Sequence, residues 1–413
     1  MNEYVTAAAQ KAKDASFALA RLNGQDKNRA LHAVSDALTE RRGQILAENA
    51  LDVAAAKQAG NPSAFIDRLT LNEKRFDGML ATIASVIALD DPVGAYTEIK
   101  KRADGLLIGR VRAPIGVVFF IFEARPNVSV DAFALSLKSG NAVILRGGSE
   151  AVKSNTAIVK AIRAGLKKSG IPEHAVTMVE NTDRQLIADF VKCTSSVDVV
   201  IARGGDALIN FVRAESLIPV ICHDKGLCHT YIEKDADKAM AMHIAVNAKT
   251  QRPGVCNATE TLLVHHDFPH TKEIIDALIA KGVEVRGCSR TMAIIPVKSA
   301  DAADWDTEYL DLIISVKIVD NIEQAIAHIN RHGSRHTEAI VTSSLANAER
   351  FKEEVDAGVV MVNASTRLAD GGEFGLGAEI GISNQKLHVR GPMGLLDMTT
   401  LKYVVTGNGH IRE

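Results

Sequence analysis

Residues 116–148 read GVVFFIFEARPNVSVDAFALSLKSGNAVILRGG. Both ends of this stretch are short apolar runs, GVVFFIF and NAVILRGG, and a helix-forming segment near 128–138 separates them. Strands that are apolar throughout and alternate with helices are typical of a parallel sheet covered on both faces. The stretch therefore predicts a strand, a helix and a second, parallel strand.

The same alternation continues toward the C-terminus. A helix that Ser149 is expected to cap runs to Gly170, and further helices are predicted near 183–191 and 206–216. Between them lie three more apolar runs, AVTMVE, DVVIA and IPVIC. Five such strands predict a Rossmann-type sheet, and sheets of this kind bind ligands at the carboxyl ends of their strands.

A second alternating set follows the first. Its predicted helices are 235–251, 271–281, Asn321–Ile329 and 345–357, and its predicted strands are TETLLVH, VEVRG, TEAIVT and VVMVN. The first 60 residues read as helices, with Asp26 at one start. We therefore expect an α/β protein with a first domain at 1–222, a second domain at 223–370, and a glycine-rich tail, 371–413, that returns to the first domain.

Residues 95–113 interrupt the pattern with two polar, extended runs around Asp104-Gly105, which is a strong hairpin signal. An isolated two-stranded ribbon is marginal in water. We expect it to serve oligomerisation, with a plain surface hairpin as the alternative. The run LKYVVTG, 401–407, is a candidate strand that pairs with this ribbon or across a dimer.

The composition limits the partners and the cellular compartment that we expect for this protein. The 413 residues include 48 basic and 50 acidic side chains, for a formal net charge of -2, so neither nucleic acid nor an anionic membrane is an expected partner. The N-terminus has no signal-peptide pattern, and the longest apolar run is far short of the roughly 20 residues that span a bilayer. An odd count of five cysteines fits a reducing compartment. We expect a cytoplasmic protein.

The stretch CHDKGLCH, residues 222–229, resembles half of a zinc site. Adjacent residues on a strand point to opposite faces, so neither Cys-His pair can converge on one ion, and we expect no metal. The stretch reads instead as the bend between the two domains.

A cysteine in another setting is the candidate nucleophile. Pro253-Gly254 ends a helix, Cys256 follows on a short loop, and a strand begins at Thr259. A cysteine on such a loop is accessible to substrate, and Asn257 with nearby backbone N–H groups could form an oxyanion site. The alternative is a buried, inert thiol.

No G-x-G-x-x-G motif is present. The glycine turns that follow predicted strands are Arg146-Gly147-Gly148 and Arg203-Gly204-Gly205. Each offers backbone N–H groups and an arginine at a helix start, which suits a phosphate, although such turns are often only structural.

Two long segments carry a family resemblance. FEARPNVSVDAFALSLKSGNAVILRGG, 122–148, and VDNIEQAIAHINRHGSRHTEAI, 319–340, resemble the γ-glutamyl phosphate reductases, a family within the aldehyde dehydrogenase superfamily. The similarity covers essentially the whole chain. It implies an aldehyde dehydrogenase-like fold in which 1–222 is the NADP-binding domain, with the ribbon 95–113 inserted, and 223–370 is the catalytic domain. It implies reduction of L-glutamyl 5-phosphate to L-glutamate 5-semialdehyde by NADPH, the second step of proline synthesis from glutamate. It also implies a small-molecule substrate, a homodimer or homotetramer, and a functional association with glutamate 5-kinase.

The resemblance assigns roles to individual residues. Cys256 matches the nucleophile, although PGVC departs from the superfamily's usual pattern before the cysteine. Gly204 and Gly205 match a phosphate-contacting helix start, and Glu308 matches the acid that orients the nicotinamide ribose. Arg146, with the adjoining Gly147 and Ser149, matches the place where relatives hold the adenosine ribose; a serine there in place of a glutamate leaves room for a 2′-phosphate and favours NADP, which Glu150 weakens.

Oxidising relatives activate water with a glutamate at a position close to His223, and 217–229 contains no glutamate. The bend is therefore interpreted as a place where a hydrolytic base is lost, with a simple buried histidine as the alternative. Asn127 and Asn257 are the candidate oxyanion donors. Arg125 and Arg367 are the candidate substrate-anion binders. His328 and His332 read as structural, and His336 reads as a loop residue to which no role is assigned. The competing hypotheses are a hydrolytic NAD(P)-dependent aldehyde dehydrogenase and a non-catalytic dinucleotide-binding regulator.

Overall fold

The computed structural model describes residues 2–222 and 225–412. The α-helices among them are α1 (Glu3–Leu19), α2 (Gly24–Glu40), α3 (Arg42–Gln58), α4 (Ser63–Leu69), α5 (Glu73–Ala88), α6 (Val128–Lys138), α7 (Val152–Lys168), α8 (Gln185–Phe190), α9 (Asp206–Glu215), α10 (Lys238–Thr250), α11 (Thr271–Ala280), α12 (Ser289–Ile294), α13 (Ile322–His332) and α14 (Leu345–Glu354). The strands are β1 (Tyr96–Lys101), β2 (Leu107–Pro114), β3 (Val117–Ile121), β4 (Ala142–Arg146), β5 (Val176–Met178), β6 (Val199–Ala202), β7 (Val220–Cys222), β8 (Cys228–Ile232), β9 (Thr259–His265), β10 (Glu284–Gly287), β11 (Lys298–Ser299), β12 (Ile313–Val319), β13 (Thr337–Val341), β14 (Val359–Val362), β15 (Gly381–Ser383), β16 (Gly391–Met393) and β17 (Thr399–Thr406).

The chain forms two compact units. The first comprises Met1–Cys222, Leu376–Gly381 and Met393–Glu413, and the second comprises His223–Gly375 and Ile382–Pro392. The sequence analysis assigned the whole tail, 371–413, to the first domain, whereas 371–375 and 382–392 lie in the second unit. The segment 382–392 has a contact that explains its place there. The reason is local: Arg390 forms an ion pair with Asp356 at 2.6 Å in that unit.

The first unit is built on the predicted parallel sheet. Its strand order is β5-β4-β3-β6-β7, and every pair of neighbours runs parallel. All positions of β3 and β4 are buried, which is why their sequences are apolar without alternation. The expected α/β, Rossmann-type architecture is confirmed.

The polar ribbon forms as a separate three-stranded sheet in the order β1-β2-β17. The C-terminal strand pairs with β2 in antiparallel register from Thr399 opposite Pro114 to Thr406 opposite Leu107. All six residues of β1 are exposed, including the apolar Ile99. The predicted pairing of the C-terminal strand with the ribbon is therefore what the structure contains.

The second unit has a larger parallel sheet, in the order β11-β10-β12-β9-β8-β13-β14. One face packs on α10 and α11 through a cluster that includes Ile244, Leu262 and Ile274. The opposite face packs on α13 and α14 through Tyr231 and Phe351, among others. No helix in the described part of the chain is both long and apolar enough to cross a bilayer.

Two predicted helix caps are wrong. Ser149 lies in a 3-10 turn before α7, and its hydroxyl donates to Glu150 at 3.2 Å instead of capping the helix. The start of α2 is capped by Asn23, whose side chain accepts from the N–H of Asp26. At α2 a neighbouring residue takes the capping role, whereas at α7 the 3-10 turn moves the helix start to Val152 and no side chain caps it.

The crossing of α2 and α7 gives a test of packing. A Cβ at Gly165 would lie 2.5 Å from the Cα of Val34, whereas one at Gly78 on α5 would meet no heavy atom within 4 Å. We expect Gly165→Ala to lower the free energy of unfolding by about 1–3 kcal/mol, because backbone must move. Gly78→Ala should raise it by about 0.5–1 kcal/mol. Urea unfolding followed by circular dichroism measures both, and equal midpoints for the two variants would contradict this packing.

Candidate active site

The predicted nucleophile lies on a short loop of the second unit. The helix α10 ends at Thr250 and β9 begins at Thr259, so the nucleophile loop is residues 251–258. Cys256 is only partly buried, whereas Cys228 is buried. Partial exposure allows a substrate to reach the sulfur, which is what a nucleophile requires.

The residues 226–228 support this loop from behind. A Cβ at Gly226 would lie 2.0 Å from the carbonyl oxygen of Cys256 and 2.3 Å from its Cα, so only glycine fits there. The Cys228 thiol donates to the same carbonyl at 3.2 Å. Burial raises the pKa of Cys228 well above its usual value, so this sulfur stays protonated and acts as a donor. The cysteine-rich stretch is thus the backing of the nucleophile loop.

The other members of that stretch have separate partners. His229 points to the opposite face of the sheet, where its Nδ1 lies 3.0 Å from Glu338 and its backbone N–H donates to the same carboxylate at 2.7 Å. Cys222, in the first unit, accepts from Arg213 at 3.2 Å. Cys228 and His229 therefore bind different groups, as strand alternation predicts, and His223 lies outside the described residues.

Glu308 connects a neighbouring segment to the backing of the loop. Its carboxylate accepts from the N–H of Gly226 at 2.9 Å. Two residues on, Leu310 has a φ of 54°, a left-handed conformation that is unfavourable for leucine. The predicted contact of Glu308 with a nicotinamide ribose stays a prediction, and the structure adds that this acid also holds Gly226.

A buried ion pair that the sequence analysis did not predict joins the two elements that flank the nucleophile loop. Lys249, in the last turn of α10, bonds Glu260, near the start of β9, at 2.6 Å, and both side chains are fully buried. Burial raises the pKa of Glu260 and lowers that of Lys249. The other carboxylate oxygen of Glu260 accepts from the N–H of Leu310 at 3.3 Å. No sequence motif identifies this pair, because the two residues meet only when α10 packs against β9.

The segment that carries Arg367 is tied to the nucleophile loop. Asn257 donates its side-chain amide to the carbonyl of Ala369 at 3.0 Å, and Arg367 Nε donates to Gln251 at 2.8 Å. Burial lowers the pKa of Arg367, and the positive charge of Arg252 lowers it further. Two arginines thus lie near the loop, of which the sequence prediction named only Arg367.

In the first unit, the predicted cofactor residues follow β4. Arg146 is buried, and its guanidinium donates to the carbonyls of Gly147 and, at 2.9 Å, Thr182. Burial lowers its pKa. A Cβ at Gly148 would lie 2.3 Å from a carboxylate oxygen of Glu150, so this acid lies over the turn.

The second predicted phosphate site, at the start of α9, already holds an anion of this chain. The carboxylate of Glu123 accepts from the N–H of Gly205 at 2.6 Å and would lie 3.0 Å from a Cβ at Gly204. This oxygen stands where a phosphate oxygen of a dinucleotide is predicted to bind, so the turn fits an anion.

Two further predicted site residues lie at the N-terminal end of α6. Asn127 donates its amide to Asp131 at 3.1 Å, one turn into the helix. Arg125 is exposed in the loop after β3. One N–H of the Asn127 amide is therefore already used within the chain.

Comparison with known proteins places the chain in a class. A family model described as the aldehyde dehydrogenase family matches residues 1–312 and 293–404. The chain belongs to the aldehyde dehydrogenase family.

Its relatives narrow the class further. A γ-glutamyl phosphate reductase from Caldicellulosiruptor bescii is 50% identical over 420 residues, which cover 100% of both chains. Another, from Moorella thermoacetica, is 51% identical over 98% of this chain and 97% of its own. The crystal structure of γ-glutamyl phosphate reductase from Thermotoga maritima matches with a TM-score of 0.97 and 47% identity, covering 99% of this chain and 100% of that one. The resemblance to the γ-glutamyl phosphate reductases is confirmed.

The contact at Gly226 generates a prediction. We expect Gly226→Ala to displace the backbone of Cys256 and to lower kcat by about 100-fold, because a shift near 1 Å is enough for such a loss. Gly254→Ala is the matched control, since its nearest atom would be the Leu310 oxygen at an ordinary 3.5 Å. Steady-state kinetics, with alkylation of Cys256 by iodoacetamide as a second readout, would refute the contact if both variants behaved alike.

Proposed function

We propose that this chain reduces L-glutamyl 5-phosphate to L-glutamate 5-semialdehyde and phosphate, the second step of proline biosynthesis. The observation that carries the proposal is the partly buried Cys256 on a loop that Gly226 supports, in a chain 50% identical to a γ-glutamyl phosphate reductase. A thiol in this setting suits acyl transfer, because the acyl phosphate offers an activated carbonyl and a good leaving group.

The chemistry follows from the sulfur. The Cys256 thiolate attacks the acyl carbon, the C–O bond to phosphate breaks with its electron pair on phosphate, and a thioester forms. NADPH, when bound, supplies the hydride that reduces this thioester. The resulting oxyanion re-forms the carbonyl and expels the Cys256 thiolate, which releases the aldehyde and restores the enzyme.

The oxyanion needs donors. Asn127 and Asn257 are the candidates, and each already spends one N–H of its amide on a partner in its own unit, Asp131 and the Ala369 carbonyl. Only the second N–H of each amide can therefore serve the substrate. The Asn257 carbonyl oxygen is buried without a hydrogen-bond partner in the described chain, so the bond from its nitrogen to Ala369 is what orients this amide.

The substrate carries a phosphate at one end and a carboxylate beside an ammonium group at the other. We assign Arg367 to one of its anionic groups, supported by its bond to Gln251, and add Arg252 from the nucleophile loop as a second cation. Arg125 is the candidate from the first unit. An arginine pair suits phosphate or carboxylate because each fork offers several N–H donors.

NADPH is the proposed reductant. Arg146, Gly147 and Ser149 are proposed to hold the adenosine ribose and 2′-phosphate, Gly204 and Gly205 the pyrophosphate, and Glu308 the nicotinamide ribose. The N–H of Gly205, which holds a carboxylate at 2.6 Å, supports the assignment of an anion there.

The remaining proposals concern the oligomeric state, the partner and the cellular location of the enzyme. The exposed aromatic and aliphatic side chains of the ribbon, Tyr96, Ile99 and Tyr403, support a homodimer or homotetramer. Acyl phosphates hydrolyse in water, which favours a functional association with glutamate 5-kinase. We propose a cytoplasmic location for both.

The reaction is tested most directly in reverse. Glutamate 5-semialdehyde and NADP⁺ should give NADPH only when phosphate is present, and Cys256→Ala should abolish the signal because no thioester forms. Cys288→Ala is the control and should retain activity. Turnover that does not require phosphate would instead favour the hydrolytic aldehyde dehydrogenase, for which the absence of glutamate from 217–229 is unfavourable.

The 2′-phosphate site has its own test. Because the carboxylate of Glu150 lies over Gly148, Glu150→Gln should lower KM for NADPH roughly two- to fivefold by removing like-charge repulsion. KM for NADH, which has no 2′-phosphate, should not change. An equal effect on both cofactors would place the 2′-phosphate elsewhere.

A further inference from the structure

The Lys249–Glu260 ion pair lies where the nucleophile loop leaves and re-enters regular structure. Lys249 is the next-to-last residue of α10 and Glu260 the second residue of β9. Their Nζ–Oε2 distance is 2.6 Å and neither side chain is exposed to solvent. Fully buried charges are unfavourable unless paired, and replacing such pairs by neutral residues is often tolerated by the fold alone. A buried pair at this place therefore needs a reason other than stability.

A series of contacts connects Glu260 to Cys256 through two other segments of the second unit. The carboxylate oxygen Oε1 of Glu260, which is not the one that Lys249 binds, accepts from the N–H of Leu310 at 3.3 Å. Two residues before Leu310, Glu308 accepts from the N–H of Gly226 at 2.9 Å. Gly226 in turn lies against the backbone of Cys256, and the chain from Cys256 leads back to Glu260.

These contacts fix the positions of Cys256 and Glu308, the two residues in this series that have roles in the proposed reaction. The carboxylate of Glu260 holds the 308–310 segment against β9, and that segment holds Gly226, which sets the position of the Cys256 backbone. Lys249 orients the Glu260 carboxylate by binding its second oxygen. The left-handed φ of 54° at Leu310 shows that the segment accepts an unfavourable conformation to make this link.

We propose that Lys249 and Glu260 are positioning residues that set the geometry of Cys256 and of Glu308 together. The assignment of a reaction to Cys256 rests on the proposed function, whereas the effect of the pair on the thiol does not. Neither residue is proposed to touch the substrate.

The experiment compares Glu260→Gln with the double variant Lys249→Met/Glu260→Gln. Glu260→Gln leaves a buried, unpaired lysine and should lower the unfolding midpoint. The double variant removes both charges and should recover most of that midpoint. If the pair positions the site, the double variant should still show a rate of Cys256 alkylation by iodoacetamide changed by about tenfold, a kcat lowered by about tenfold or more, and a raised KM for NADP⁺.

The matched control is Glu338→Gln, which breaks the buried pair with His229 on the opposite face of the same sheet. It should lower the unfolding midpoint while leaving the alkylation rate of Cys256 within about twofold of the parent. This control distinguishes a loss of stability from a change in the position of the Cys256 thiol.

The outcomes are distinct. Recovery of kcat and of the alkylation rate together with the midpoint in the double variant would overturn the proposal, because the pair would then support only the fold. A parent enzyme inactive with glutamate 5-semialdehyde, phosphate and NADP⁺, but with alkylation that still depends on the pair, would overturn the proposed function and leave the positioning role intact.

Discussion

The backbone of Gly226 lies so close to the backbone of Cys256 that no side-chain carbon fits between them. This contact sets the position of the sulfur, because it fixes the main chain from which the side chain projects. Around it, the Cys228 thiol binds the Cys256 carbonyl and Glu308 binds the Gly226 N–H. The candidate site is therefore organised through main-chain atoms, and the side chains nearest to the nucleophile serve mainly to hold them.

The sheet of the second unit buries a hydrogen-bonded pair of ionisable side chains on each face. One face holds Lys249 with Glu260, and the other holds His229 with Glu338. Beyond His229 lies His328, which contacts it edge to face at 5.5 Å between ring centroids. Burial and the surrounding positive charges lower the pKa of His328 to about 2, so it stays neutral and packs as an aromatic ring. The histidine-rich family segment thus forms the support of the sheet and not a second reactive centre.

Sequence alone predicted the strands that are apolar on both faces, because a buried parallel strand has no polar alternation to obscure it. It missed β12, a central strand of the second sheet, although IISVKIV carries the same kind of signal. The position of Cys256 on a loop between a helix and a strand indicated it as the candidate nucleophile, and the family resemblance assigned it the same role. The Lys249–Glu260 pair could not be found in this way, since a lysine and a glutamate eleven positions apart acquire a relation only when a helix and a strand pack together.

The strand β17 completes a ribbon whose other members lie near the start of the first sheet. The hydrogen bond between Arg112 and Thr399 joins positions 287 residues apart. During synthesis on the ribosome, both sheets can therefore assemble while one edge of β2 still lacks its neighbour. An open strand edge can pair with another nascent chain, and the two arginines of β2, Arg110 and Arg112, disfavour such pairing until β17 is available.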